Sequence, residues 1–214
     1  MLRLLTILAL FATLQSHAQL NQQQLDSVVN KYVQELYRRG VDTVCIYDEY
    51  CVGCLFYTES GKNLCLETFS SLPTYIFWKE KGKVYATRKD ACYDFAVTTV
   101  SNDSIWRYYN LNKNRIKKEE LKAPQYKETV NGKEKITTVE VEHSVYFKIT
   151  VKVGNDVTTK EINNFYFTKE LGVDEVENLS YTFNVQTSLY QWNSILQRIV
   201  EDIRKKKLPG KIRS

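Results

Sequence analysis

The chain has 214 residues, of which 43% are hydrophobic and 26% charged, a composition typical of a folded globular protein. Eight glycines and three prolines are too few for a collagen-like repeat or a long flexible linker. The formal net charge of +5 is mild and acidic residues nearly balance basic ones, which argues against a nucleic-acid partner.

The first 18 residues have the pattern of an export signal. Residues 1–3 carry a positive charge, residues 4–14 form an apolar run, and Ser16-His17-Ala18 places small residues before a cleavage site. The apolar run is about half the roughly 20 residues that span a bilayer, so a permanent membrane anchor is disfavoured. The alternative to an export signal is an N-terminal core helix. We expect cleavage after Ala18, a secreted or periplasmic protein, and no transmembrane segment in the mature chain.

All five cysteines precede residue 93, and export favours their oxidation. An odd number leaves at least one thiol unpaired, and sequence alone does not choose among the pairings. We favour Cys65 with Cys92, and Cys51 with Cys54 or Cys45; these five residues are the disulfide candidates.

Cys51 and Cys54 also form a CxxC pair, which raises a redox alternative. Redox activity requires a low-pKa thiolate, commonly at a helix start, whereas the strand-like residues 55–58 follow this pair. A four-thiolate zinc site of Cys51, Cys54, Cys65 and Cys92 would require reduced thiols. A structural disulfide is therefore the favoured interpretation.

A helix is predicted directly after the signal. Asn21 and Gln24 form a capping box, and Gly40 supplies a left-handed stop. The apolar residues between them recur at three- and four-residue spacing, which predicts one buried stripe: Leu25, Val28, Val29, Tyr32, Val33, Leu36 and Tyr37.

Short β-rich runs follow, separated by turn residues. Lys81-Gly82 predicts a hairpin, and Asn102 or Asp103 is placed to cap a short helix before the mainly charged residues 112–122. The predicted strands of this block are residues 41–47, 53–58, 64–69, 75–79, 84–87 and 95–100.

In the second half, Asn131-Gly132 predicts a hairpin between residues 126–130 and the run from Lys133. Residues 139–153 alternate between apolar and polar, as in a half-buried strand or two strands separated by a bulge. Further strands are predicted at 157–167 and 179–185. Ser188 and Gln191 form a capping box for a last helix that buries Leu189, Trp192, Ile195, Leu196, Ile199 and Ile203.

These elements predict an α+β fold, with a mainly antiparallel β-sheet packed with an N-terminal and a C-terminal amphipathic helix. We expect one domain over residues 19–214, with a possible subdomain boundary near 112–124.

Common catalytic signatures are missing from the sequence. The mature chain has a single histidine, His143, and contains no HExxH, GxGxxG, GxSxG or phosphate-binding loop. His143 is in phase with the apolar face of its predicted strand, so a core or cleft-edge position is expected. We expect no metal or cofactor, and an enzymatic activity is disfavoured.

The hypothesis that remains is a non-enzymatic exported protein that binds an unknown protein or small ligand through its sheet or aromatic surface. Aromatic residues make up 13% of the chain, although core packing is the favoured explanation for most of them. The basic residues 204–207 are expected to form a solvated helix end. The alternative is an exported thiol-redox protein that uses Cys51 and Cys54.

Overall fold

The computed structural model describes residues 25–52, 71–90, 93–172, 175–206 and 209–212. Several predictions concern residues outside these ranges and stay predictions: the signal at 1–18, the capping box at Asn21 and Gln24, the strands at 53–58 and 64–69, and the cysteines Cys54, Cys65 and Cys92. The possible subdomain boundary near 112–124 also stays a prediction.

Helix α1 covers residues 25–38 of the described chain, and its predicted stripe is confirmed. Leu25, Val29, Val33 and Leu36 are buried at spacings of three or four residues. Gly40 then adopts a φ of +83°, the left-handed conformation that ends a helix and is accessible to glycine without strain.

The remaining elements follow in chain order. The strands are β1 (Thr43–Val52), β2 (Ser71–Glu80), β3 (Lys83–Lys89), β4 (Tyr93–Phe95), β5 (Thr98–Val100), β6 (Gln125–Val130), β7 (Lys133–Thr138), β8 (Ser144–Val153), β9 (Asp156–Asn163), β10 (Glu170–Leu171), β11 (Val176–Glu177) and β12 (Gly210–Ile212). The helices are α2 (Ser104–Lys118), α3 (Tyr181–Val185) and α4 (Ser188–Lys205), with a 3-10 turn at Asn164–Phe167.

Eight strands of the described ranges form one sheet in the order β12-β4-β3-β2-β1-β8-β9, with β5 also paired to β3. Each neighbouring pair in it is antiparallel. The α+β fold with a mainly antiparallel sheet and helices toward both ends of the chain is therefore confirmed. Strands β6 and β7 form a separate hairpin, and so do β10 and β11.

The sheet has an apolar core on each face. Helices α2 and α4 cover one face, where Trp106 and Trp192 pack with Tyr47 of β1. Helix α1 covers part of the other, where its stripe packs against Val44 and Trp78. Because side chains alternate along a strand, β1 and β2 supply both cores at once.

Two predicted strands, 157–167 and 179–185, differ in the structure because polar side chains redirect the backbone. The strand predicted at 157–167 ends at Asn163, whose Oδ1 accepts a hydrogen bond from Phe165 N and starts the 3-10 turn. The strand predicted at 179–185 is instead helix α3, which follows a bond from Ser180 N to Asn178 Oδ1. In addition, α4 is capped by Thr187, one residue before the predicted Ser188, through a bond from Tyr190 N.

The alternating run 139–153 also differs from its prediction. Strand β8 begins only at Ser144, because Val139 N donates to Pro124 O and closes the base of the β6–β7 hairpin before the chain reaches the sheet. His143 lies just outside β8 and is exposed, so its predicted core or cleft-edge position is wrong.

The charged residues 112–122 do not end the short helix that was predicted before them. Helix α2 continues to Lys118 because Ile116 is buried and the ammonium groups of Lys113 and Lys117 pair with the Asp156 carboxylate.

Candidate functional site

The α1 side of the sheet carries a row of polar residues where the helix stripe ends. Asp48 of β1 is paired with Thr74 of β2 on one side and with Lys148 of β8 on the other. Lys148 is in turn opposite Glu161 of β9. Directly paired residues point to the same face of a sheet, so one row crosses four strands.

A pocket of about 350 Å³ lies over this row. Its volume is within the roughly 300–1,000 Å³ range of small-molecule sites. The lining combines acidic, basic, aromatic and apolar side chains: Asp26, Asp48, Glu49, Tyr50, Cys51, Leu72, Thr74, Lys148 and Glu161.

Asp48 is the half-buried carboxylate of the pocket. Burial raises the pKa of its carboxyl group, and the opposing effects of the Thr74 hydrogen bond and the Lys148 charge do not cancel that increase. Thr74, itself only 2% exposed, donates from Oγ1 to Asp48 Oδ1 over 2.6 Å. A carboxylate in this setting costs stability when ionised, which is common among residues that bind ligands.

Tyr50 forms an aromatic wall beside Asp48. Its ring stacks on that of Tyr146, with centroids 5.2 Å apart and an interplanar angle of 11°. Burial raises the pKa of the Tyr50 phenol, and the nearby Glu161 carboxylate raises it further. The two stacked rings therefore stand next to the charged row, and Tyr50 is close to Glu161.

The remaining acidic groups set the sign of the pocket's charge. Glu49 pairs with Arg204 of α4 at 2.6 Å, and Arg204 Nε also donates to Tyr75 Oη at 3.0 Å. Arg204 therefore anchors α4 to the sheet, whereas a wholly solvated helix end was expected. With Glu49 paired, the described lining residues that remain include the carboxylates of Asp48 and Glu161 and, among them, one ammonium group, that of Lys148.

The described cysteines lie apart from each other. Cys45 is a free thiol in the core under α4, where burial raises its pKa. Cys51 lies at the end of the same strand and lines the pocket. Six residues of extended strand separate them by about 20 Å, far beyond disulfide reach, so the predicted Cys45–Cys51 pairing is wrong. The other partners considered for Cys51 are outside the described residues.

Sequence reasoning missed Asp48, Lys148 and Glu161. The one available signal was Asp48, a charge that directly follows the apolar run of β1. The aromatic side chains of β2, which are Tyr75, Phe77 and Trp78, lie in the two cores. His143 is exposed outside β8, so none of these residues belongs to the pocket.

Within the described ranges, no three histidine, cysteine or acidic side chains come close enough together to hold a metal ion. Among the same residues, no helix combines the length and apolar character needed to cross a membrane. Comparison of the chain with protein-family models, curated proteins and solved structures finds no match.

Proposed function

We propose that this is an exported, non-enzymatic binding protein whose pocket beside Asp48 takes a small ligand with a positively charged group next to an aromatic or apolar part. The observation that carries the proposal is the position of Asp48, a half-buried carboxylate beside two stacked tyrosine rings. Export is inferred from the signal pattern of residues 1–18.

The charge of the pocket favours a cation over an anion. Among the described lining residues, the carboxylates of Asp48 and Glu161 face the one ammonium group of Lys148, and a charge interaction is stronger where water is partly excluded. An ammonium or guanidinium group bound beside Asp48 would stabilise the ionised carboxylate that burial disfavours. The ring of Tyr50, which lines the pocket, offers both apolar contact and cation–π attraction.

Benzylamine tests this proposal because it joins an ammonium group to a ring, and benzyl alcohol is its uncharged counterpart. In calorimetric titrations at neutral pH we expect the protein to bind benzylamine and to bind benzyl alcohol at least tenfold more weakly. Asp48→Asn should abolish the difference, whereas Asp202→Asn, on the exposed side of α4, should preserve it. Equal affinity for the two compounds, or no benzylamine binding, would contradict the proposal.

The proposal that the protein is exported is tested by a separate measurement. Sequencing the N-terminus of the protein recovered from the medium or periplasm should give Gln19 first. Recovery of a chain that still begins at Met1 would contradict cleavage after Ala18.

The thiol-redox alternative keeps one supporting observation, which is that Cys51 lines the pocket. The surrounding carboxylates weigh against it, since reactive thiolates occur in electropositive surroundings. A reduction potential between about −270 and −120 mV for a Cys51–Cys54 couple would favour redox activity, whereas one below about −300 mV would indicate a structural bond.

A further inference from the structure

A second cavity lies at the base of the β6–β7 hairpin and shares no described lining residue with the polar pocket. Its volume is about 430 Å³, also in the range of small-molecule sites. Four separate chain segments form its walls: Tyr126, Val139, Phe165, and the β10–β11 residues Leu171, Gly172 and Val176.

The side-chain amide of Asn178 joins two of the chain segments that contribute to this cavity. Asn178 is 2% exposed; its Nδ2 donates to Thr168 O at 2.8 Å, and its Oδ1 accepts from Gln125 N at 3.3 Å. It therefore ties the segment after the 3-10 turn to the start of β6, on either side of the cavity. Buried, satisfied hydrogen bonds of this kind fix a backbone and prevent collapse of the space beside it.

The lining indicates the chemistry of the occupant. None of the six described lining residues is charged, so a charged group placed against them would lose its hydration without compensation. The neighbouring exposed residues include Lys169, Glu170 and Glu177. Charged residues are depleted from the centres of protein interfaces, so this surface suits a small molecule better than a protein segment.

We propose that this cavity is a second binding site, for a small uncharged apolar molecule such as an aromatic ring system or a short hydrocarbon chain. It is independent of the polar pocket, and the two sites differ in the charge of the ligand they accept.

N-phenyl-1-naphthylamine, a neutral apolar probe whose fluorescence rises in apolar surroundings, provides the test. The full mature chain should bind it saturably, and Val176→Phe, which fills the cavity, should weaken binding at least tenfold. Val139→Phe fills the same space from another wall. It replaces the first variant if circular dichroism shows that Val176→Phe does not fold. Val157→Phe adds the same atoms at a side chain that is 56% exposed on β9, and should leave binding unchanged.

Methyl NMR of the wild-type protein gives an independent readout. The probe should shift the methyl signals of Val139, Leu171 and Val176, and excess benzylamine should not displace it. Absence of saturable binding, an equal loss in Val157→Phe, or shifts centred on Leu72 in the polar pocket would overturn the proposal. Because the probe is neutral, failure here leaves the Asp48 proposal unaffected, and the converse also holds.

Discussion

Two regions of the molecule are stabilised in different ways. One is the sheet core under α4, and the other is the junction at which the start of β6, the 3-10 turn and α3 meet beside the apolar cavity. In the core, Trp192 is fully buried and its ring lies 5.1 Å from that of Tyr109. In the junction, Asn178 and Asn184 are buried instead, and their amides bond to backbone groups of distant segments. The core therefore depends on apolar area and shape, and the junction on a few hydrogen bonds that leave room for a cavity.

The largest expected effect is in the core. Trp192→Ala should lower the free energy of unfolding by about 3–5 kcal/mol, because it removes a large buried side chain and leaves a void. Chemical denaturation measures it. Leu111→Ala, at a side chain that is 79% exposed, should change that free energy by less than about 0.5 kcal/mol. A comparable loss in the two variants would contradict the burial of the α4 stripe.

A smaller effect is expected in the junction. Asn184 exchanges hydrogen bonds with both backbone groups of Lys122 and donates to Tyr166 O at 3.0 Å. Asn184→Ala leaves these partly buried backbone groups without their partner and should cost about 1–3 kcal/mol.

Hydrogen exchange sharpens the comparison between the two regions. Asn184→Ala should speed exchange at Lys122 N more than at β1 amides, since the junction can open locally, whereas Trp192→Ala should speed both through global unfolding. Asn110→Ala, an exposed position on α2, is the control. Uniform acceleration in Asn184→Ala would show that the junction and the core unfold as one unit.

The smallest effect belongs to the polar pocket, and its size depends on pH. Burial raises the folded-state pKa of Asp48 above its unfolded value, so its contribution to stability is fully present below the unfolded pKa. That contribution is lost as pH rises through the folded pKa. The free energy of unfolding of wild type relative to Asp48→Asn should therefore fall from about pH 3 to neutral pH. Urea denaturation across this range measures it, with Asp202→Asn as the control.

An increase with pH would instead mean that Lys148 and Thr74 stabilise the Asp48 carboxylate more than burial destabilises it. The pocket would then resemble an ordinary surface ion pair, and the argument for a ligand-binding carboxylate would lose its basis.

The sequence by itself determined the elements whose signals are local. The α1 and α4 stripes repeat within a few residues, and the Asn131-Gly132 turn requires only its own positive φ values of 54° and 72°. Prediction failed where the local signals were weak, as at α3, for which the sequence predicts a strand. The hydrogen bonds that fix this segment come from Asn178 and Asn184, and their partners are distant in sequence.

Only the tertiary structure decided the site. Asp48 and Lys148 are adjacent because β8 pairs with β1 across 100 positions of sequence, and Glu161 joins them through the register of β9. Neither composition nor spacing encodes that strand order. Strands β1, β2 and β8 share the core under α4, and their register places the polar residues at the edge of the α1 core in one row.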